Sequence, residues 1–288
     1  MSGITGVINI NKEPATSFIL KKMTDAISHR GREGEGLFID ENVGIGHRRL
    51  TVTDKTPSAY QPMITKDGRY VISFDGEIYN YHELRTELQS LGYKFHTKSD
   101  TEVLLNAYAE WSEKCLEKLN GMFAFAVYDK SERKLCIARD RYGIKPLYYC
   151  FYGSSFLFGS EQRAILAHPS SKKEIDLEGL LEYFTFQNFF TDKTLLRGLK
   201  LFPAGCYAFL NYQGNFQIYR YWDYDFQEPD FQVSEEEYAE ELDRLMCQAV
   251  NRQLIGDIEI GAFLSGGMDS GSIVALASRQ IPNMKTFT

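Results

Sequence analysis

Apolar and polar residues alternate in short runs along much of the first two thirds of the chain. Several runs have the length and the β-branched and aromatic content of strands. They are Ile4–Ile10, Val43–Arg49, Tyr70–Phe74, Phe123–Tyr128, Lys134–Ala138, Leu147–Phe151 and Phe156–Phe158. Between them, helical spacing of apolar residues predicts helices at Phe18–His29, Tyr81–Leu91 and Thr101–Trp111. Strand runs mixed with a few helices, without strict alternation, predict a layered α+β fold.

Two of these helices carry recognisable end signals. Asp100 directly precedes Thr101–Trp111, and its short carboxylate is predicted to be the N-cap of that helix. Gly92 directly follows Tyr81–Leu91 and is predicted to stop it, because glycine accepts the left-handed conformation that ends many helices. The stretch Arg32–Gly36 could be a phosphate loop or a flexible loop, and we prefer the flexible loop.

The character of the sequence changes near Tyr221–Val233, an aromatic and acidic stretch that we interpret as a connector. Beyond it, Ser234 and Glu237 form a capping-box pattern that predicts the start of a helix. The later segments are predicted as a strand at Ile258–Leu264, a helix at Asp269–Arg279 and the start of a strand at Lys285–Thr288. This order predicts a parallel sheet. We therefore expect one domain at 1–222 and an incomplete second domain at 223–288.

The bulk composition is that of a globular protein, since 43% of the 288 residues are hydrophobic and 25% are charged. The net charge of -7 argues against nucleic acid as a partner, because phosphate binding requires concentrated Lys and Arg. Five cysteines without a CxxC pair support neither disulfides nor a zinc site, which favours a reduced, cytoplasmic setting. We read no signal peptide and no apolar stretch of about 18 residues, and therefore predict no membrane span.

The most specific local signal is Phe263–Ser270, a Ser-Gly-Gly-x-Asp-Ser pattern between a predicted strand and a predicted helix. Glycine lets backbone amides approach an anion, and a helix N-terminus attracts negative charge. The candidate ATP-binding residues are Phe263, Ser265, Gly266, Gly267, Asp269 and Ser270. The serine hydroxyls can donate to phosphate oxygens, and Asp269 can hold Mg²⁺. A plain strand-to-helix turn is the alternative, but the pattern resembles the pyrophosphate loop of the N-type ATP-pyrophosphatases.

A series of further motifs precedes this loop in a fixed order. They are Met1–Ile4, His47–Leu50, Phe74–Asn80, Ser99–Glu102, Gly121–Ala126, Arg139–Tyr148, Phe202–Tyr207 and Tyr221–Trp222. Each motif alone has an ordinary structural explanation, such as a surface charge or a helix cap. In this order, and followed by Gly261–Gly267, they resemble asparagine synthetase over nearly the whole chain. The resemblance implies the four-layer αββα sandwich of the N-terminal-nucleophile hydrolases, followed by the start of an α/β ATP-pyrophosphatase domain.

The resemblance also implies roles for single residues. Once Met1 is removed, Ser2 would be the nucleophile, and its α-amine, which titrates near ~7.7–8.0, would be the base. Asp75 and Gly76 would stand at the oxyanion, to which Gly76 would offer its backbone N–H. The implied glutamine-binding residues are Arg49, Leu50, Val52, Glu77 and Asp100. Among them Arg49 would bind the α-carboxylate as a forked ion pair, and the two acids would bind the α-ammonium.

The implied reaction joins two sites. Ammonia released from glutamine would pass through a tunnel to the second domain, where ATP with Mg²⁺ converts aspartate to its adenylate and ammonia attacks. The resemblance also suggests a homodimer. Because the predicted second domain is incomplete, we expect no asparagine synthesis by this chain alone. Some members of the family amidate sugars or peptides and others close a β-lactam ring, so the final acceptor stays open.

Two residues at the implied chemical centre depart from the family. Ser2 stands where the family has cysteine, whose thiol is partly ionised at neutral pH, whereas a hydroxyl is not. Asp75 stands where the family has asparagine, whose amide donates to the oxyanion. An ionised carboxylate cannot donate, and losing one such donor costs on the order of 10²–10³ in rate. A protonated Asp75 could donate, but that requires a strongly raised pKa.

We therefore expect a pocket that holds glutamine but cleaves it poorly. Ser2 is either a substitution introduced to trap substrate, or the mark of a natural relative that has lost glutaminase activity and uses free ammonia. The β-lactam synthetases also lack the N-terminal cysteine. A different class of function is a binding module that senses glutamine or stabilises a partner domain. Glutamine binding without turnover would support the module, and turnover would support the enzyme.

Overall fold

The computed structural model describes residues 1–228, 233–254 and 259–288 of the chain. These residues divide into two compact units, Met1–Asp223 and Tyr224–Thr288. Pro229 of the predicted connector and Ile258, the first residue of a predicted strand, lie outside the described residues. Within the described ranges, no helix is both long enough and apolar enough to cross a membrane.

The strands of the first unit form two six-stranded sheets, ordered β10-β8-β9-β1-β3-β2 and β12-β11-β7-β6-β5-β4. The strands are β1 (Gly3–Asn9), β2 (Gly34–Asp40), β3 (Val43–Arg49), β4 (Met63–Ile64), β5 (Tyr70–Ile78), β6 (Gly121–Asp129), β7 (Lys134–Arg139), β8 (Tyr148–Tyr152), β9 (Ser155–Gly159), β10 (Leu199–Leu201), β11 (Cys206–Leu210) and β12 (Phe216–Arg220). The paired neighbours in both sheets run antiparallel.

The helices of the first unit are α1 (Ser17–Asp25), α2 (Tyr81–Ser90), α3 (Asp100–Trp111), α4 (Cys115–Lys118), α5 (Gln162–Leu166) and α6 (Leu177–Phe186). Of these, α1 and α5 lie against the first sheet. Alternation along β1 shows the layering, because successive strand residues face opposite sides. Ile4 and Ile8 belong to the core between the sheets, whereas Val7 packs with Met23 of α1 and Ile165 of α5. On the second sheet α3 lies against β5, which completes a helix–sheet–sheet–helix sandwich.

The predicted strands and helices are found with shifted ends, and two shifts matter for the site. The predicted strand Tyr70–Phe74 continues as β5 to Ile78, so Asp75, Gly76 and Glu77 lie on a strand rather than after it. The predicted helix Phe18–His29 ends at Asp25, and a series of turns follows. Those turns bring Arg30 back toward the start of β1.

Two local predictions were wrong. Asp100 is not the N-cap of its helix but the first residue of α3, because the Ser99 hydroxyl caps it by accepting from the Glu102 N–H. The predicted flexible loop Arg32–Gly36 instead enters strand β2, which pairs with β3. Glycine is required there because a Cβ on Gly36 would lie 1.9 Å from the Gln61 carbonyl oxygen, so the residue marks a close backbone approach.

The second unit contains α7 (Glu235–Gln253), β13 (Gly261–Phe263), α8 (Met268–Ser278) and β14 (Lys285–Phe287). Both hydrogen bonds of the predicted capping box between Ser234 and Glu237 are present at the start of α7. Strands β13 and β14 pair in parallel, with α8 as the connection between them. The sequence predicted this strand–helix–strand order, although β13 is shorter than the predicted strand.

Candidate functional site

Ser2 lies directly before β1, where its side chain meets the end of β3. Its hydroxyl oxygen accepts from the Leu50 backbone N–H at 3.1 Å and can donate to the Leu50 carbonyl at 3.3 Å. Its own carbonyl accepts a 2.7 Å hydrogen bond from Nε of Arg30. The antiparallel pairing of β1 with β3 positions these groups, because it sets Gly3 opposite Arg48. Two predicted site residues, Ser2 and Leu50, are therefore in direct contact.

Asp75 lies on β5 in a buried ion pair. Its Oδ2 accepts a 2.7 Å hydrogen bond from Nη2 of Arg30, and both side chains are almost fully buried, at 1% and 6% exposed. Burial raises the pKa of Asp75, while the charges of Lys145 and Arg30 oppose that rise. Since an arginine in a protein always keeps its proton, the short contact with Arg30 favours the ionised carboxylate at neutral pH. One guanidinium thus joins the carbonyl of Ser2 to the carboxylate of Asp75.

A second buried cation faces the same carboxylate. Nζ of Lys145 lies 3.8 Å from Oδ1 of Asp75, and the lysine side chain is 6% exposed. The loop between β7 and β8 holds this lysine in place, because Nε of Arg139 donates to the Lys145 carbonyl at 2.7 Å. The Asp140 carboxylate accepts hydrogen bonds of 2.9–3.1 Å from the backbone N–H groups of Phe123, Tyr142, Ile144 and Lys145.

Glu77 and Asp100 form a pair of acids with perturbed protonation. Oδ2 of Asp100 accepts from the Ile78 backbone N–H at 3.0 Å, which ties the start of α3 to β5. Burial raises the pKa of Asp100 to about 6. Burial, followed by the charge of Asp100, raises the pKa of Glu77 to about 8. A cation bound between the two acids would reverse these shifts, so the pair is suited to an ammonium group.

Arg49 ends β3 and is nearly buried. Its guanidinium donates to the carbonyls of Asp54 and Thr56 and lies 4.5 Å from the centre of the Tyr60 ring. The loop that follows, which contains the half-buried Val52, is anchored at both ends. Glu33 accepts from the Thr51 N–H at 2.6 Å. Asp54 accepts from the N–H groups of Thr56 and Lys98 at 2.8 and 2.9 Å. The second of these bonds links the Arg49 loop to the segment that precedes Asp100.

Gly76 faces Phe123 of β6 at a very close backbone approach. A Cβ at position 76 would lie 2.2 Å from the Met122 carbonyl oxygen and 2.8 Å from Cα of Phe123. Only glycine leaves this stretch of β5 undistorted. The local sequence Asp75-Gly76-Glu77 therefore combines an ion-paired carboxylate, a strand position without a side chain and an acid whose pKa is raised.

Sequence reasoning missed the charged partners of this cluster. Arg30, Lys145 and Glu161, whose Oε1 contacts Nη1 of Arg30 at 3.3 Å, were given no role. A signal for Lys145 was present, because it stands in the apolar stretch Ile144–Tyr148, where a lysine is expected to be buried and paired. Arg30 had no comparable signal, since only the turn after α1 brings it to Asp75.

The predicted phosphate loop lies on the surface of the second unit. The hydroxyl oxygens of Ser265 and Ser270 are 2.9 Å apart, and the Ser265 N–H donates to the Ser270 hydroxyl at 3.2 Å. Gly266 has a φ of +80°, which glycine adopts without strain, and Gly267 is the N-cap of α8. Asp269 is exposed in the first turn of that helix. In the described part of the chain, this loop included, no three His, Cys, Asp or Glu side chains group as metal ligands.

Comparison with known families agrees with this geometry. The sequence model of the family described as glutamine amidotransferase domain matches residues 1–222. The chain belongs to this family. A second family model, described as asparagine synthase, matches residues 241–288.

Two relatives of this glutamine amidotransferase chain come from Bacillus subtilis (strain 168). Asparagine synthetase [glutamine-hydrolyzing] 3 is 41% identical over 290 residues, which cover 96% of this chain and 45% of the relative. Asparagine synthetase [glutamine-hydrolyzing] 1 is 38% identical over 291 residues, which cover 100% of this chain and 45% of the relative. The resemblance seen in the sequence is confirmed. The chain spans about half the length of these curated relatives, 45% in both.

Solved structures confirm the predicted fold class. The glutamine phosphoribosylpyrophosphate amidotransferase from B. subtilis, in complex with ADP and GMP, superimposes with a TM-score of 0.58 at 16% identity. The match covers 99% of this chain and 65% of that one. At this identity the likeness supports the fold alone. The two stacked antiparallel sheets with flanking helices are the arrangement that the family membership implies.

Proposed function

We propose that residues 1–222 bind glutamine beside Ser2, as the amidotransferase domain of an asparagine-synthetase-type enzyme, and that residues 223–288 begin its ATP-dependent domain. The contact of Ser2 with Leu50, next to Arg49, is the observation that carries this proposal. It sets the proposed nucleophile beside the proposed carboxylate-binding arginine. Glu77 and Asp100, which favour a cation, supply the groups for the α-ammonium of the same ligand.

The proposed hydrolysis uses groups of this chain. After removal of Met1, the α-amine of Ser2 takes the hydroxyl proton while Oγ attacks the amide carbon of glutamine. The oxygen of that amide becomes an oxyanion, to which the Gly76 N–H donates. When the C–N bond breaks, the amine returns the proton to the leaving nitrogen, which departs as ammonia. Water then cleaves the Ser2 ester and releases glutamate.

Asp75 makes this reaction slow in the present chain. Its ionised carboxylate occupies the position of an oxyanion donor and is bound to Arg30 at 2.7 Å. The charge disfavours an oxyanion and also neutralises a buried cation that would otherwise stabilise one. We therefore propose that the chain holds glutamine more effectively than it cleaves it.

The exposed loop of the second unit fits a polyphosphate. The Ser265 and Ser270 hydroxyls, the glycine backbone of Gly266 and Gly267 and the N-terminus of α8 are groups that bind phosphate oxygens. Asp269 offers one carboxylate to Mg²⁺, whose other ligands would be phosphate and water. Bound ATP would activate the aspartate carboxylate as an adenylate, which ammonia then attacks. Phe263, 84% exposed, stands at the end of β13 beside this loop.

We propose further that the enzyme is cytoplasmic and that it works as a homodimer on glutamine, aspartate and ATP. The five cysteines are free thiols, and four of them are buried, which supports a reducing compartment.

Restoring the family residues tests the proposed function. Calorimetry should show that the present chain binds glutamine, and an ammonia assay should show little turnover. The Ser2→Cys, Asp75→Asn double variant should release ammonia about 10²–10³-fold faster, or more. Mass spectrometry verifies that Met1 has been removed from both proteins. The proposal fails if glutamine does not bind, or if the double variant releases no more ammonia than the original chain.

A further inference from the structure

A small cavity lies at the end of the first unit that is opposite Ser2. Ser2 directly precedes β1, whereas Ile8, near the other end of the same strand, lines the cavity. At the rise of a β-strand, this places the cavity about 20 Å from Ser2. The cavity has a volume of about 60 Å³ and lies between the ends of the two sheets. It is therefore separate from the proposed glutamine site.

The inner wall of this cavity is apolar. It is formed by Ile8, Val43, Leu135 and Leu210, which are at most 6% exposed and belong to the core between the sheets. A cavity of about 150 Å³ in another protein holds benzene, so this smaller one has room for about two or three carbon atoms. A ligand that fills it therefore has a short apolar chain.

Charged side chains surround the opening. Lys12, Glu41 and Arg133 are exposed and line the cavity. Nη2 of Arg133 donates to Oε1 of Glu41 at 3.2 Å, so these two charges balance each other. Lys12 forms no ion pair with any residue that the structure describes. The opening thus carries one unbalanced positive charge, which favours an anionic group on the ligand.

Tyr128 adds a buried phenol to the lining. Its side chain is 5% exposed, and its hydroxyl makes no hydrogen bond within the described ranges of the chain. Burial raises the pKa of Tyr128 to about 12, so the hydroxyl keeps its proton at neutral pH and can donate it. A buried hydroxyl without a partner is costly. A ligand that brings an oxygen acceptor would remove that cost.

The backbone at the opening is strained and fixed. Lys12, Glu41 and Arg133 have φ values of 65°, 52° and 48°, in the left-handed region that residues other than glycine avoid. They stand in three separate turns. The turns of Lys12 and Glu41 are tied together, because the Lys12 N–H donates to the Asn9 carbonyl at 3.0 Å and Nδ2 of Asn42 donates to the same carbonyl at 2.8 Å. Strained residues that meet at one opening are typical of binding sites.

We propose that this cavity binds a short aliphatic carboxylate. The carbon chain lies between the two sheets, and the carboxylate pairs with Lys12 and accepts a hydrogen bond from the Tyr128 hydroxyl. An alcohol of the same length lacks the charge, and an amine of that length is repelled by the unbalanced lysine. The site does not depend on the proposed glutamine site.

Titration of sodium butyrate into the isotopically labelled chain, followed by two-dimensional NMR, tests this assignment. Butyrate should bind with a Kd of about 1 mM and shift the amide signals of Leu135 and Leu210, but not that of Leu50. The alcohol n-butanol and the amine n-butylamine should bind at least about tenfold more weakly. An excess of glutamine should not displace butyrate, because the two sites are separate.

Two substitutions test the polar contacts. Lys12→Met should weaken butyrate binding by about threefold to fivefold and leave n-butanol binding unchanged. Tyr128→Phe should weaken butyrate binding by about threefold or more. The matched control is Lys94→Met, because Lys94 is also exposed and has no ion pair in the described ranges but does not line the cavity. It should bind butyrate as wild type does.

Three results would overturn the inference. They are an absence of shifts at Leu135 and Leu210 up to about 50 mM butyrate, binding of n-butanol as tight as that of butyrate, and equal butyrate binding by Lys12→Met and Lys94→Met. Near-UV circular dichroism verifies that each variant is folded. Each of these results leaves the proposed glutamine site standing, because none of them depends on glutamine binding.

Discussion

Asp75 and Asp269 carry the same carboxylate in opposite settings. Asp75 is fully buried on β5 between Arg30 and Lys145, whereas Asp269 is exposed in the first turn of α8. A buried charge has to be balanced by partners inside the fold, because no water is present to solvate it. An exposed charge is solvated, and its partners can arrive with a ligand. Substitutions should therefore alter stability in the first region, but mainly ligand binding in the second.

The largest expected effect comes from removing the cation that balances Asp75. Arg30→Met leaves a buried carboxylate without its hydrogen-bonded partner and should lower the free energy of unfolding by about 3–5 kcal/mol. The matched control is Arg244→Met, since Arg244 pairs with Glu241 on the exposed surface of α7 at 2.6 Å. That loss should stay within about 1 kcal/mol. Urea denaturation measures both.

A rescue sharpens the result for Arg30. Adding Asp75→Asn to Arg30→Met removes the unbalanced charge and should recover more than half of the lost stability. If Arg30→Met lowers the free energy of unfolding no more than Arg244→Met does, the buried ion pair is no more important for stability than the exposed one, and the argument from burial fails.

Two glycines offer the next contrast. Gly76→Ala adds a Cβ that would lie 2.2 Å from the Met122 carbonyl oxygen, and it should destabilise the first unit by about 1–3 kcal/mol or more. Gly271→Ala adds a Cβ with no neighbouring atom within 4 Å, inside α8. Alanine is the better helix former, so this change should stabilise the second unit by up to about 1 kcal/mol. Thermal unfolding measures whether Gly76→Ala lowers and Gly271→Ala raises the stability. An unchanged stability of Gly76→Ala would contradict the argument that the backbone approach at position 76 excludes a Cβ.

The dependence of stability on pH should also separate the regions. The pKa of Glu77 in the folded chain is raised to about 8 and that of Asp100 to about 6. Between the unfolded and folded values the native state binds more protons, so stability falls as pH rises, by up to about 1.4 kcal/mol per pH unit and group. Glu77→Gln removes the contribution of Glu77.

The measurement for Glu77 is the urea midpoint at several pH values. From pH 5 to pH 8 the stability of Glu77→Gln should rise relative to wild type. Glu259→Gln, which removes an exposed partner of Lys285, is the control and should follow wild type at every pH. Parallel curves for Glu77→Gln and wild type would show that burial does not perturb this acid.

The smallest effect on stability is expected in the exposed loop. Ser270→Ala removes the 2.9 Å contact with Ser265 and should cost less than about 1 kcal/mol, since water replaces the lost partner. The same variant should lose most of the thermal stabilisation that magnesium pyrophosphate gives to the second unit. A large loss of stability without ligand would instead make the loop a structural element.

The sequence was most informative where one pattern had one structural meaning. Alternation along β1 and helical spacing in α3 predicted both elements, and the Ser234–Glu237 pattern predicted the start of α7. Strand β2 was missed because Gly34 and Gly36 resemble a loop, although glycine is used there for a close backbone approach to Gln61. Local propensity does not reveal such contacts between distant segments.

Contacts between distant segments also limited the prediction of the functional site. The sequence identified the residues around position 75 as site candidates. It did not identify the charged partners of Asp75, because Arg30 and Lys145 lie 45 and 70 residues away along the chain. The expectation that Asp75 opposes an oxyanion stays a prediction. The pairing itself follows from the antiparallel register of β1 and β3 and from the turns after α1, which no short motif encodes.

The hydrogen bonds of Asp140 have a consequence for amide exchange with solvent. Loop amides usually exchange within seconds, but those of Tyr142, Ile144 and Lys145 are bound to one buried carboxylate that also binds Phe123 of β6. These loop protons should therefore exchange only when the sheet itself opens. In deuterium labelling, the segment between β7 and β8 should follow the time course of a central strand.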